Sequence, residues 1–229
     1  MTRAVGGHAR IAAADGHFAR YHRGMYSART AAAIRRVHDH ARLQVRAGFL
    51  DAGAVVADVT AVAVDEDLED AEGVAIAAVE QARAGLLVDQ RRWPATTDAD
   101  RLRSVFESLR GDGVVVLEGV ADHWAATAEL ERLDDADAAP SGIAWFTRTD
   151  VWHAIDHGML EINLWHADSA NVAPGDTLLA EALARFDEAG LSAVFDEGRI
   201  EVRARWHRRA AALDPGATGD VAASAEHLQ

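Results

Sequence analysis

Apolar positions along this chain recur first at helical and then at strand spacing, and the change of period divides it. From about Ser27, "SARTAAAIRRVHDHARLQVRAGF" sets Ile34, Val37, Ala41 and Val45 on one helical face, with Ser27 or Thr30 available as N-cap and Gly48 near the end. "DAGAVVADVTAVAV" places Val55, Val56, Val59 and Val62 at i, i+1, i+4 and i+7, which predicts a valine-rich helix, with a strand as the alternative. The acidic run "DEDLEDAEG" (65 to 73) is expected to open a third helix, because acids suit the positive end of a helix dipole. That helix continues through Val74, Val79 and Leu86 to about Val88.

Trp93-Pro94 breaks the helical pattern, and Thr97 with Asp100 three residues on has the form of a capping box. Leu102, Val105, Phe106 and Leu109 follow at i, i+3, i+4 and i+7, until Gly111 and Gly113 stop the helix and "VVVL" (114 to 117) begins a buried strand. "ADHWAATAELERLDDADA" reads as a helix with Trp124, Ala128 and Leu130 inward, ended by Pro140 and Gly142. "IAWFT" is a second strand. Thr149 or Asp150 is the expected cap of a brief helix that Gly158 ends, and "MLEINLWH" alternates as a third strand with Leu160, Ile162 and Leu164 on one face.

Asp176 caps the next expected helix, whose stripe is Leu178, Leu179, Ala182, Leu183 and Phe186, and Gly190-Leu191 has the Schellman pattern. "SAVF", "DEG" and "RIEVRAR" then form a hairpin with Ile200, Val202 and Ala204 facing in and Arg199, Glu201, Arg203 and Arg205 facing out. The resulting expectation is an α+β fold: N-terminal helices, then a mixed, partly antiparallel sheet of about five strands with packed helices. The short link "RTDVWHAIDHG" between the second and third strands is what argues for antiparallel pairing there. By regions, 1–27 is expected to be a disordered start or extension, 28–93 helical, 94–209 the α+β domain, and 210–229 a disordered tail without periodicity.

Composition narrows the function classes. The 229 residues include no cysteine, which excludes disulfides, thiolate metal sites and a cysteine nucleophile and suits a reducing cytoplasm. The formal charge of −14 argues against nucleic acid as a partner, since that affinity rests on a basic surface. The basic residues are all arginine, and residues 1 to 36 hold seven of them against one acid, Asp15. Such a start has the composition of a transit peptide or a nucleic-acid arm, or is an extension upstream of Met25, where translation could also begin. The longest apolar stretches, such as "VAIAAVEQARAGLLV" (74 to 88), are too short or too charged for a bilayer needing about 20 apolar residues, so no membrane role is expected.

Three segments, "TDADRLRSVFESLRGDGVV", "GIAWFTRTDVWHAIDHGMLEINLWHAD" and "LARFDEAGLSAVFDEGRIEVRARWHRR", together resemble a mostly actinobacterial family designated domain of unknown function 6891, over about residues 28 to 209. The resemblance implies the fold and a bacterial cytoplasmic setting and transfers no catalytic residue. Some relatives carry a cysteine-rich stretch after the first strand. Here that region reads "LEGVADHWAATAEL", so a thiol or metal role resting on those cysteines is absent.

The stretch "DVWHAIDHGMLEINLWHAD" (150 to 168) is the densest in candidate chemistry. His153 and His157, four apart on a helix, could ligate a divalent metal with His166 and Asp168 from the neighbouring strand end, Asp156 or Asp150 orienting the ligands or acting as base. Against that stands an ordinary reading: His157 in the last helical turn complements the dipole, and His166 continues the inward strand face. Trp145, Trp152 and Trp165 could form an exposed binding platform or pack in the core. Arg203, Arg205, Arg208 and Arg209, beside Trp206, could grip a carboxylate or phosphate, or pair with acidic helices or a second subunit. A phosphate loop, nucleophile elbow, dinucleotide fingerprint and H-E-x-x-H are missing from the sequence. The reading favoured by the sequence is a non-catalytic cytoplasmic protein that binds a partner protein or its own copy, with small-molecule sensing near the tryptophans also open. The alternative is a metal-dependent hydrolase built on His153, His157, His166 and Asp168.

Overall fold

A computed structural model of the protein describes residues 9–136 and 139–210; the tail expected over 210–229 lies outside them beyond Ala210, as do the first eight residues of the expected N-terminal extension. Helices α1 (Ala9–Ala47), α2 (Ala52–Asp65) and α3 (Ala71–Asp89) come first, followed by a 3-10 turn, Gln90–Arg92. Then follow α4 (Asp98–Gly111), β1 (Val114–Val120), α5 (His123–Asp135), β2 (Gly142–Thr147), α6 (Arg148–His157) and β3 (Met159–Trp165). The last elements are α7 (Thr177–Glu188), β4 (Ser192–Asp196) and β5 (Arg199–Arg203). The fold is α+β, as the change of hydrophobic period predicts. The first helix starts upstream of Ser27, at Ala9. The chain forms two compact units: residues up to Val45 with Leu50–Arg83, and Arg46–Phe49 with Ala84 onward.

The first unit is cored by small side chains: Val37 and Ala41 of α1, Val55, Val59 and Ala63 of α2, and Ala75, Ala78 and Val79 of α3. Side chains this small let helix axes approach closely, so the valine-rich segment is stable as a helix despite its β-branching. Asp51 caps α2 by accepting from Ala54 N at 2.8 Å. The acidic run both links the helices and opens α3: Glu66 is the C-cap of α2 and Asp67 has φ 57, while Asp70 accepts from Gly73 N at 3.2 Å just before α3 begins at Ala71, with Glu72 in its first turn. Arg36 grips Glu66 with Nε and Nη2, which holds the Glu66 carboxyl below the usual range, and Arg29 lies 3.4 Å from Asp67. Gln44, 3% exposed, donates to Asp58 Oδ2 at 2.7 Å, and the same oxygen is 2.6 Å from His40 Nε2, so the unit's buried polar group is satisfied.

The second unit is a five-stranded mixed sheet in the order β1-β2-β3-β5-β4. β1 and β2 pair in parallel around the α5 crossover, whereas β2 and β3, joined by ten-residue α6, pair antiparallel, as the short link implies. The β4–β5 hairpin turns on Glu197 (φ 44) and Gly198 (φ 89), both left-handed. One sheet face is covered by α4, α6 and α7: Phe106, Phe146, Leu160, Ile162, Phe186 and Val202 are among its fully buried side chains. On the other face Ala126 and Leu130 of α5 pack on Ile143 and Trp145 of β2.

Local signals set most helix ends, and the structure corrects one cap and one helix face here. The Thr97–Asp100 capping box is present, but α6 is capped by Thr147, not Thr149 or Asp150: Asp150 N donates to Thr147 Oγ1 at 3.3 Å and Thr147 N to Asp150 Oδ2 at 2.7 Å. Trp124 and Ala128 do not face inward. Ala126 and Leu130 set the buried phase of α5, which leaves Trp124 66% exposed beside His123. Gly142 is required by close approach, since a Cβ there would lie 2.6 Å from both the Trp165 carbonyl oxygen and Leu178 Cδ2.

Phe146→Ala, at the centre of the main core, is expected to cost about 3–5 kcal/mol in urea denaturation. Val194→Ala, on edge strand β4 and 55% exposed, should change stability by less than about 0.5 kcal/mol.

Candidate functional site

The histidine-rich stretch folds as a capped helix, a left-handed Gly158 (φ 73) and an alternating strand. His153 and His157 are exposed, with ring centroids 4.6 Å apart. His166 leaves the end of β3 for a different partner: its Nε2 is 3.0 Å from Asp176 Oδ2, and its backbone N–H donates to Ala170 O at 2.8 Å. Asp168 accepts from Ala170 N at 3.1 Å within the same turn. Among the described residues no three histidine, aspartate or glutamate side chains come together to hold a metal ion, so the set His153, His157, His166 and Asp168 is not assembled. The reason is directional: the two helical histidines point to solvent, while His166 and Asp168 organise the loop leading to α7. Asp176 stands at the N-cap position of α7, but its carboxylate accepts from Ala173 N at 2.7 Å and faces His166 instead of capping the helix. The Ala173 N–H, and after it His166, hold its carboxyl below the ordinary carboxylate range.

Two of the three candidate tryptophans meet each other. Trp145, 6% exposed, and half-buried Trp165 pack edge to face at 5.0 Å under α5, so Trp145 belongs to the core rather than to a surface platform. Trp152 is half-buried against the main core on the opposite side of the sheet.

The arginine cluster forms part of a strap, residues 204–210, that runs without regular structure across the second unit. Ala204 N donates to Gly158 O at 3.1 Å and Arg205 N to Asp98 Oδ2 at 3.0 Å. The Trp206 indole Nε1 donates to the carbonyl of Ala47, the last residue of α1, at 3.2 Å. His207 stacks on Trp93 at 4.5 Å, and its pKa is pushed down by burial and by Arg205. Arg208 holds its guanidinium 5.6 Å over the Phe49 ring and reaches Ala47 O at 3.5 Å, and Arg209 donates to the carbonyls of Gln90 and Pro94. Arg208 and Arg209 meet backbone carbonyls here, as at a helix C-terminus, and the Asp100 carboxyl of α4, held low first by the Thr97 N–H, is lowered further by Arg209. Arg203 is exposed at the end of β5.

Between the strap, α4 and the end of β1 lies a cleft of about 300 Å3. Its floor is Leu102, Phe106 and Trp206, with Ala99 at one end. The floor is rigid because Trp206 is braced by Phe49 (5.8 Å) and Phe146 (5.9 Å), and Phe106 by Phe146 (5.5 Å). The rim carries Arg103, Arg110 and Arg208 with Glu107 and Glu118. Arg110 donates to Glu118 Oε1 at 2.8 Å and Val116 O at 3.3 Å, and Arg103 reaches Asp100 Oδ1 at 3.4 Å. The floor side chains are almost wholly buried, Leu102 and Phe106 at 1% and Trp206 at 6% exposure, so the cleft presents chiefly its polar rim and the hydrogen-bond donors there. The sequence reading singles out Arg208 among these rim residues and passes over Arg103, Glu107, Arg110 and Glu118. The spacing of Arg103, Glu107 and Arg110 at i, i+4 and i+7 along α4 is the available signal, but it is also what any solvated helix face shows.

A family model described as Domain of unknown function (DUF6891) matches residues 30–210. No curated protein and no solved structure matches the chain.

The depressed Asp176 carboxyl makes one contribution to stability pH-dependent. A group whose folded pKa lies below its unfolded value stabilises the fold above about pH 4 and ceases to do so as the pH falls through the lowered value. In urea titrations the deficit of Asp176→Asn relative to the unaltered chain should be present at about pH 5 and should vanish towards about pH 2. A deficit that persists unchanged in acid would remove the carboxylate from this account.

Proposed function

The chain belongs to the family described as Domain of unknown function (DUF6891), and from that premise we propose that it is a non-catalytic binding protein whose second unit takes up a small molecule. The single observation that carries this is the cleft between α4, the end of β1 and the strap. Its volume of about 300 Å3 falls at the lower end of the range used by small-molecule sites. The lining supports binding over chemistry: it contains no serine, threonine or histidine, so a nucleophile with an adjacent base is not present in it, and Glu118 is engaged by Arg110. The chain's freedom from cysteine fits work in a reducing cytoplasm.

Among the described residues of the second unit the exposed large apolar side chains are Leu87 and Val88 on α3, Trp124 on α5, over β1 and β2, and Val194 on β4 at the far edge of the sheet, so Trp124 and Val194 at least do not share one patch. A metal-dependent hydrolase has no support from the described residues, since the histidines it needs do not converge.

The reading is tested by a fragment screen followed by two-dimensional amide NMR on the full chain. Hits of around millimolar affinity are expected to shift the Arg103 and Glu107 amides and the Trp206 indole signal together. Hits that map elsewhere, or a screen with no hit at these signals, would overturn it.

A further inference from the structure

Independently of the cleft, we propose that the chain pairs with a second copy of itself through strand β4, antiparallel across a two-fold axis at Val194. The sheet has two edges, β1 and β4. Strand edges carry unpaired backbone donors and acceptors, and folds commonly blunt them with bulges, charged side chains or covering groups. β1 is blunted in this way: its register breaks between Leu117 and Val120, and the carbonyls of Val116 and Gly119 accept from Arg110 and Arg148. β4, "SAVFD", has no proline and no basic residue, and its register with β5 is unbroken from Ser192 to Asp196.

The hairpin fixes which backbone groups of β4 are open. Its two-residue turn makes Asp196 and Arg199 a hydrogen-bonded pair, so Val194 and Ser192 also direct their N–H and C=O groups to β5. Ala193 and Phe195 direct theirs away from the sheet, and among the described residues these groups have no partner. A two-fold axis at Val194 sets Ala193 opposite Phe195 of the second copy, and Phe195 opposite the second copy's Ala193. The open groups thus meet one another and form four backbone hydrogen bonds. A slip of one residue would set open groups against groups already committed to β5.

Side chains agree with the same register. Val194, 55% exposed, meets its own symmetry mate, and half-buried Phe195 meets the small Ala193. Ser192 meets Asp196, so like charges do not lie opposite each other. On β5, Arg203 stands in register with Ser192 and on the same sheet face. Arg203 and Asp196 are both exposed, and among the described residues neither has an ion-pair partner, since Arg199 beside Asp196 turns its guanidinium to Glu161. With strands about 4.8 Å apart, Arg203 lies two rows, roughly 10 Å, from Asp196 of the second copy, a span an arginine covers across a serine. The two-fold axis creates two such pairs, matching charges that the single chain leaves unmatched. Two five-residue strands bury little surface, so the dimer is expected to dissociate at on the order of 10–100 μM.

The test is analytical ultracentrifugation of the full chain from about 1 μM to about 0.5 mM, where a monomer–dimer equilibrium is expected. Val194→Lys sets two cations face to face at an exposed position and should weaken the dimer at least about thirtyfold with urea stability unchanged. Arg203→Glu should weaken it about five- to tenfold, and it reports on the pairing even if Val194→Lys unfolds. The chain has no cysteine, so single substitutions read the register by oxidative cross-linking. Val194→Cys faces its own mate with Cα atoms about 4.5 Å apart and should form a disulfide-linked dimer. Ser192→Cys lies about 13 Å from its mate and should not. A chain monomeric throughout the range, a dimer indifferent to Val194→Lys and Arg203→Glu, or equal cross-linking of the two cysteine variants would overturn the proposal. So would a monomer whose Ala193 and Phe195 amides are protected from hydrogen exchange, because a segment of the same chain would then hold the edge.

Discussion

The indole N–H of Trp206, donated to the carbonyl of Ala47, is the contact on which the rest of the second unit's organisation depends. It joins positions 159 residues apart and satisfies a carbonyl at the end of α1 that the helix cannot pair internally. Once the ring is seated, Phe49 and Phe146 close on its sides, Arg208 is brought over Phe49, and the strap is held against α4. The cleft wall is therefore a by-product of satisfying a helix end. Its charged rim consists of residues whose first obligation is to nearby backbone or acids, with donors to spare.

Much of the fold was legible because its determinants are local. Thr97 and Asp100 are three residues apart and form the capping box their spacing suggests, and Gly158 ends α6 in the left-handed conformation that follows from its place after His157. The pairing direction of β2 and β3 followed from the length of the link alone. The failures share a cause. Trp124 and Ala128 share a helical face four residues apart, but the buried phase of α5 is set by Ala126 and Leu130. Thr147 ends β2 and caps α6 at once, so its place in the strand pattern hides the cap and the sequence points to Thr149 or Asp150 instead.

The site was less legible than the fold. Sequence draws the eye to rare residues in close succession, and His153, His157, His166 and Asp168 are just that. Succession along the chain did not become proximity of ligating atoms: α6 turns its histidines outward, and His166 is claimed by Asp176, ten residues on. The cleft has the opposite character. Arg103, Arg110 and Glu118 are common residue types in unremarked places, already neighbours through α4 and its short link to β1, and only the return of the chain after β5 brings Arg208 and Trp206 to them.

Ala47 and Phe49 precede, and Trp206 follows, a span that includes all of α2, α3 and the sheet. On a ribosome adding about 5–20 residues per second, the Phe49 ring and the Ala47 carbonyl emerge roughly 10–30 s before the indole that covers them. Throughout that interval Leu50–Arg83 can complete its helices with the chain ahead of it, while the second unit waits with one aromatic wall unbuilt. The protein's order of assembly is thus written into where its last tryptophan falls: the helices made first can settle first, and the sheet is sealed only when synthesis has passed the strap.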